Sequence, residues 1–176
     1  MSIETSALAA YRNRARNTNV NDVTLLATDY LNHFNEALML AELVVDIPDV
    51  LDDFINWSPI SYTEHFRRSN IADRELAMEA YRFSPSKYKE PLENIILLLD
   101  QEIQALQGNL SSIHEMESGE AEAEADNQRL VIRTLINHAR SIINGQTSNS
   151  MSHSCSGNEV VNEKILDQEK INEMFD

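Results

Sequence analysis

An all-α fold, an irregular helical bundle of about four main helices with short extra helices, follows from three features of the sequence. Glycine and proline number only four each in 176 residues, so turns are few. The alternation of apolar and polar residues that marks half-buried strands is nearly missing. Apolar residues instead recur at steps of three and four over long stretches, the period of a helix with one buried face.

Taken in order, residues 3–16 predict a short first helix, closed by the polar NTNVND. The longest periodic run follows, Asp22 to Val45, with Val23, Ala27, Tyr30, Phe34, Ala37, Ala41 and Val44 on one face. Asn21 is its expected N-cap, and Asp22 suits the positive end of the helix. From Ala37 onward almost every residue except Glu42 is apolar, which predicts enclosure on most sides. Pro48 and Asp49 open a short helix reaching Asn56, with Val50, Leu51, Phe54 and Ile55 spaced for burial. Trp57, Ser58 and Pro59 break it. Ser61 and Glu64 have the spacing of a capping box, and Asp73 is the expected cap of another short helix turning Leu76, Ala77, Ala80 and Tyr81 inward.

Phe83 to Lys89 reads as a loop. A long helix then runs from about Lys89 to Gln107, with Pro91 in its first turn, Gly108 as its stop, and Leu92, Ile95, Ile96, Leu99, Ile103 and Leu106 inward. The acidic ESGEAEAEAD is a solvated connection or the first turns of the last long helix. That helix, Ala125 to Ile143, is expected to bury Leu130, Val131, Leu135, Ile136, Ala139 and Ile142 and to close at Gly145. Residues 1–145 thus form one helical domain. Residues 146–162 are small and polar without periodicity and read as a disordered linker. Residues 163–176 regain apolar spacing at Ile165, Leu166, Ile171, Met174 and Phe175, with Asp167 as a cap. An isolated helix of this length is marginal in water, so it is read as a docking helix that folds on a partner.

The balance of 29 acidic against 14 basic residues, a formal charge of −15, disfavours nucleic acid and anionic membrane surfaces as partners. Arg12, Arg14 and Arg16 run against this trend and are expected to be solvated ion-pair donors. One cysteine, Cys155, permits no internal disulfide, as suits a reducing compartment, and with His153 it offers too few ligands for a metal. No basic flank and apolar core mark a secretory signal, and the longest apolar run, Ile95 to Leu99, is too short to span a bilayer. A cytoplasmic protein is expected.

Asp29, His33 and Glu36 lie at i, i+4 and i+7 of the predicted core helix, one side of which could offer them to a metal. No second ligand set and no Glu-x-x-His pair accompany them, so structural hydrogen bonding is the expected role and no cofactor is assigned. His33 and His138 lack the Lys-Gly that follows the histidine in phosphotransfer bundles. Asp100 and Gln104 stand one helical turn apart in LLLDQEIQAL. The pair resembles the device of the CheZ family of phosphatases, which implies an acid pairing with a receiver lysine and an amide orienting a hydrolytic water.

The tail ILDQEKINEMF resembles the peptide I-L-S-Q-x-E-I-D-x-L-[LF] by which the flagellar switch protein FliM binds phosphorylated CheY. Ile165, Leu166, Gln168, Ile171 and Phe175 match, Met174 stands for Leu, and Asp167, Lys170 and Asn172 depart from Ser, Glu and Asp. A bundle, a linker and a terminal gripping helix is also a layout similar to CheZ. The resemblance implies an adaptor or modulator in chemotaxis or flagellar signalling. Its partner is a protein, a CheY-like receiver, contacted through Ile165, Leu166, Asp167, Gln168, Ile171, Met174 and Phe175. Alternatives are a receiver phosphatase using Asp100 and Gln104, a metal-binding bundle using Asp29, His33 and Glu36, and a tail that folds back on its own domain or on a second copy as a homodimer.

Overall fold

The computed structural model describes residues 3–115 and 119–146. Among them the fold is all-α, with no strand. The helices are α1 (Ile3–Ala15), α2 (Asn32–Leu43), α3 (Leu51–Asn56), α4 (Tyr62–Arg68), α5 (Arg74–Tyr81), α6 (Ser86–Glu115) and α7 (Gly119–Ile143). The long helices α6 and α7 are the main pair, α2 packs on both, and α4 and α5 form a smaller pair against which α1 rests. Phe34, Phe54, Phe66, Leu92, Leu99, Ile103, Leu106 and Ile132 fill the centre as fully buried side chains. Each such burial contributes roughly 1.5–3 kcal/mol.

The predicted core helix starts later than its spacing implies. Asn21 does use its side-chain carbonyl to accept the N–H groups of Val23 and Thr24, both at 2.9 Å, but these close a turn and not a helix. Leu25 adopts a left-handed φ of 59°, Val20 and Ala27 form a lone β-bridge, and a 3-10 turn over Thr28–Leu31 leads into α2 at Asn32. Contacts distant in sequence hold this loop. The Thr24 hydroxyl donates to the Ile143 carbonyl at 2.7 Å, the Ser84 hydroxyl donates to the Thr24 carbonyl at 2.8 Å, and the Ala27 N–H donates to the Tyr62 hydroxyl at 2.9 Å. Buried backbone groups that a helix would have satisfied internally are satisfied here by neighbours.

Ala27, Tyr30, Phe34, Ala37 and Ala41 are buried as the spacing predicts, while Val23 is 47% exposed. The expected enclosure beyond Ala37 is corrected: Met39 is 52% and Val45 68% exposed, and Leu43 and Ile47 also face solvent. The physical reason is that α6 and α7 cover only the inner face of α2 before Pro48 turns the chain into α3. Ile55, expected inward, is exposed as well. The Ser61 hydroxyl accepts the Glu64 N–H as a cap, at 3.3 Å. Asp73 occupies the N-cap position of α5, yet its carboxylate accepts the N–H of Asn19 instead.

Helix α6 begins at Ser86, within the expected loop, and runs through Gly108, which is no stop. Leu106 and Leu110 are buried on either side of that glycine, so packing carries the helix across it. Open space surrounds the position where a Gly108 Cβ would stand. Gly108→Ala is therefore expected to raise stability by about 0.5–1 kcal/mol, seen as a higher urea midpoint at unchanged slope. A lower midpoint would show that the glycine has a role the fold does not reveal.

On α7 the buried line runs Ala125, Arg129, Ile132, Ile136, Ala139 and Ile143, so Leu130, expected inward, is 54% exposed. The stretch carries apolar residues on two adjacent stripes, and α6 selects the one containing Ile132. Arg129 is buried because its Nε donates to the Ala41 carbonyl at 3.1 Å and its Nη1 pairs with Asp126 at 2.6 Å. Gly145 ends the helix as expected, at φ 84°, with its N–H on Ile142 O and that of Gln146 on Ser141 O, a Schellman closure.

Candidate functional site

Three places in the fold hold candidate functional residues. The first is a knot of rings at the start of α2. Tyr30 meets Phe34 edge-on at 5.4 Å and Tyr62 at 5.2 Å, and Tyr62 stacks on Tyr81 at 4.4 Å. His33 stacks on Trp57 at 4.6 Å, its Nε2–H donates to the Ser58 carbonyl at 3.0 Å, and the Trp57 indole donates to the His33 carbonyl at 3.1 Å. His33 is thus committed to holding the segment after α3. Asp29 lies in the 3-10 turn and Glu36 is exposed, so the trio named as the metal alternative does not converge. Among the described residues no three His, Cys, Asp or Glu side chains are grouped to hold a metal. Burial lowers the His33 and His65 pKa values, keeping both imidazoles neutral over more of the pH range.

The second is Asp100 with Gln104 on α6. Gln104 is exposed, whereas Asp100 is half-buried and its Oδ1 is shielded without a hydrogen-bond partner among the described residues. Burial pushes its carboxyl up to about 6. At pH 7 a carboxyl so held is still mostly ionised. The shift also has a stability consequence. A raised folded pKa favours the fold while the group is protonated, so the penalty grows as pH rises from about 4 through about 6. Asp100→Asn is expected to stabilise by about 1 kcal/mol at pH 7, after allowing for solvent screening, and by nothing at pH 4. Equal effects at both pH values would assign the change to packing.

The third was not foreseen from the sequence. A groove of about 280 Å³ runs between α2 and α7, with Leu38 and Ile136 as its floor, Met39 on one side, and Glu42, Arg133 and Arg140 at its rim. Arg133 pairs with Glu42, and Arg140 donates to the Asn137 side chain at 2.9 Å. The surplus of apolar residues late in α2, more than one buried face can use, was the available signal.

Of the amino-terminal arginines, Arg14 pairs with Glu79 at 2.8 Å and Arg12 donates to the Val23 carbonyl at 3.3 Å. No helix among the described residues is long and apolar enough to cross a membrane. The linker, Cys155, and the docking residues Ile165, Leu166, Asp167, Gln168, Ile171, Met174 and Phe175 lie outside the described residues. No protein-family model, curated protein or solved structure matches the chain.

Proposed function

We propose that the chain is a cytoplasmic adaptor of bacterial chemotaxis or flagellar signalling. Its helical domain carries a carboxyl-terminal segment, residues 163–176, that docks on a CheY-like receiver. The observation that supports this reading is the agreement of Ile165, Leu166, Gln168, Ile171 and Phe175 with the receiver-binding peptide pattern. Ile171, Met174 and Phe175 fall at i, i+3 and i+4, so a helix formed on the partner brings them to one side as anchors. The phosphatase alternative finds less support, because the half-buried Asp100 does not share the exposure of Gln104.

Titration of a labelled peptide 163–176 with a CheY-like receiver, with and without beryllofluoride as phosphoryl mimic, tests the reading by fluorescence anisotropy. Saturable binding is expected to be stronger with the mimic. Phe175→Ala is expected to weaken it at least about tenfold, since buried aromatic anchors contribute about 2 kcal/mol or more. An unchanged affinity for the Phe175→Ala peptide, or no binding to any receiver, would overturn the reading.

A further inference from the structure

We propose that residues 165–175 occupy the groove between α2 and α7 of their own chain, so that the tail is withheld from its partner until it is displaced. This rests on the reading of the tail as a docking segment and adds a regulatory contact to it. The groove has the chemistry the tail needs. Its floor of Leu38 and Ile136 and the half-exposed Met39 offer apolar contact to Ile171, Met174 and Phe175. Its rim sets Arg133 and Arg140 against a single carboxylate, Glu42. Arg140 meets no carboxylate among the described residues.

Charge favours this occupant. The tail carries Glu163, Asp167, Glu169, Glu173 and Asp176 against Lys164 and Lys170, a net −3 of the total −15, and the −12 on the rest of the chain repels such a segment over most of its surface. A second hollow near basic residues, beside Arg16, is lined by Ala15, Asn17, Thr18, Val20, Asn21 and Asp22 and lacks an apolar floor for three large anchors. Covalent reach is ample. Arg140 lies in the last turn of α7, Arg133 is about 10 Å back along the helix, and residues 147–162 span up to about 55 Å when extended. A short covalent connection raises the effective concentration of the tail at the groove, so modest contacts suffice.

Methyl NMR of the full chain labelled at methionine tests this, each variant being read at the methyl across the contact. Phe175→Ser is expected to shift the Met39 methyl signal. Arg140→Glu is expected to move the Met174 signal to its position in free peptide 163–176. Both shifts should be independent of protein concentration. Unmoved signals would overturn the proposal, and concentration-dependent ones would put the tail of a second copy in the groove instead. With receiver present, Arg140→Glu should tighten apparent affinity by about 4-fold for a tail docked three-quarters of the time; unchanged affinity would refute withholding. The methyl readout uses no receiver, so failure of peptide 163–176 to bind one overturns the adaptor reading alone.

Discussion

Phe34→Ala is expected to destabilise the domain by about 3–5 kcal/mol, the largest effect of any single truncation considered. The ring is fully buried, lies 5.4 Å from Tyr30 and 5.5 Å from His33, and approaches Trp57 at 6.1 Å. Removing it forfeits the apolar transfer energy and leaves a hole that the surrounding rigid rings cannot collapse to fill. Chemical denaturation gives the magnitude. The fluorescence of Trp57, the sole tryptophan, gives a local check, because loosening the knot admits water to the indole and shifts emission to longer wavelength. A loss under about 1 kcal/mol would mean that the rings are not packed as described.

Gln107→Glu comes next, at about 3 kcal/mol lost at pH 7. The Gln107 side-chain amide donates to the carbonyls of Phe54 at 2.7 Å and Trp57 at 2.8 Å. It thereby helps to close the carboxyl end of α3, where the Trp57 N–H also donates to the Phe54 carbonyl, at 3.1 Å. A glutamate of the same shape has no proton to give and sets a negative charge against carbonyl oxygens. Its folded pKa is consequently raised, so stability returns as pH falls through that pKa and the acid regains a donor. Gln101→Glu, on the exposed side of the same helix, is the control and should stay within about 0.5 kcal/mol. A Gln107→Glu loss with no recovery in acid would point to shape, not to the missing donor.

Local signals in the sequence were reliable where the structure is decided locally. Pro48 at a helix start, the Ser61 cap and the Gly145 stop depend on groups within a few residues, and each stands where the pattern places it. The turn after Val20 was illegible because its partners, Ile143, Ser84 and Tyr62, lie 119, 60 and 35 residues away from the groups they bond. The spacing of Val23, Ala27 and Tyr30 fits a helix equally well, and only those distant partners reject it. Gly108 misled for a related reason: its cost in a helix is about 1 kcal/mol, less than the burial of Leu106 and Leu110 contributes.

The same division runs through the candidate sites. The i, i+4 relation of Asp100 and Gln104 is visible in the letters, but which of them faces water depends on how α6 is rotated against its neighbours. The groove needed the relative placement of α2 and α7, which no single stretch encodes. The peptide pattern is legible without any fold, since its meaning lies in the order of residues a partner would meet.

The clasp between Thr24 and Ile143 has a mechanical corollary. Any pull exerted beyond Gln146 arrives first at the closed end of α7, and from there crosses the Thr24 hydroxyl into the turn that Ser84 fastens to the start of α6. Tension there loads two distant parts of the polypeptide, the last turn of α7 and the loop around Thr24. A body moored in this way has the end of its last helix and its first long loop tied into one piece.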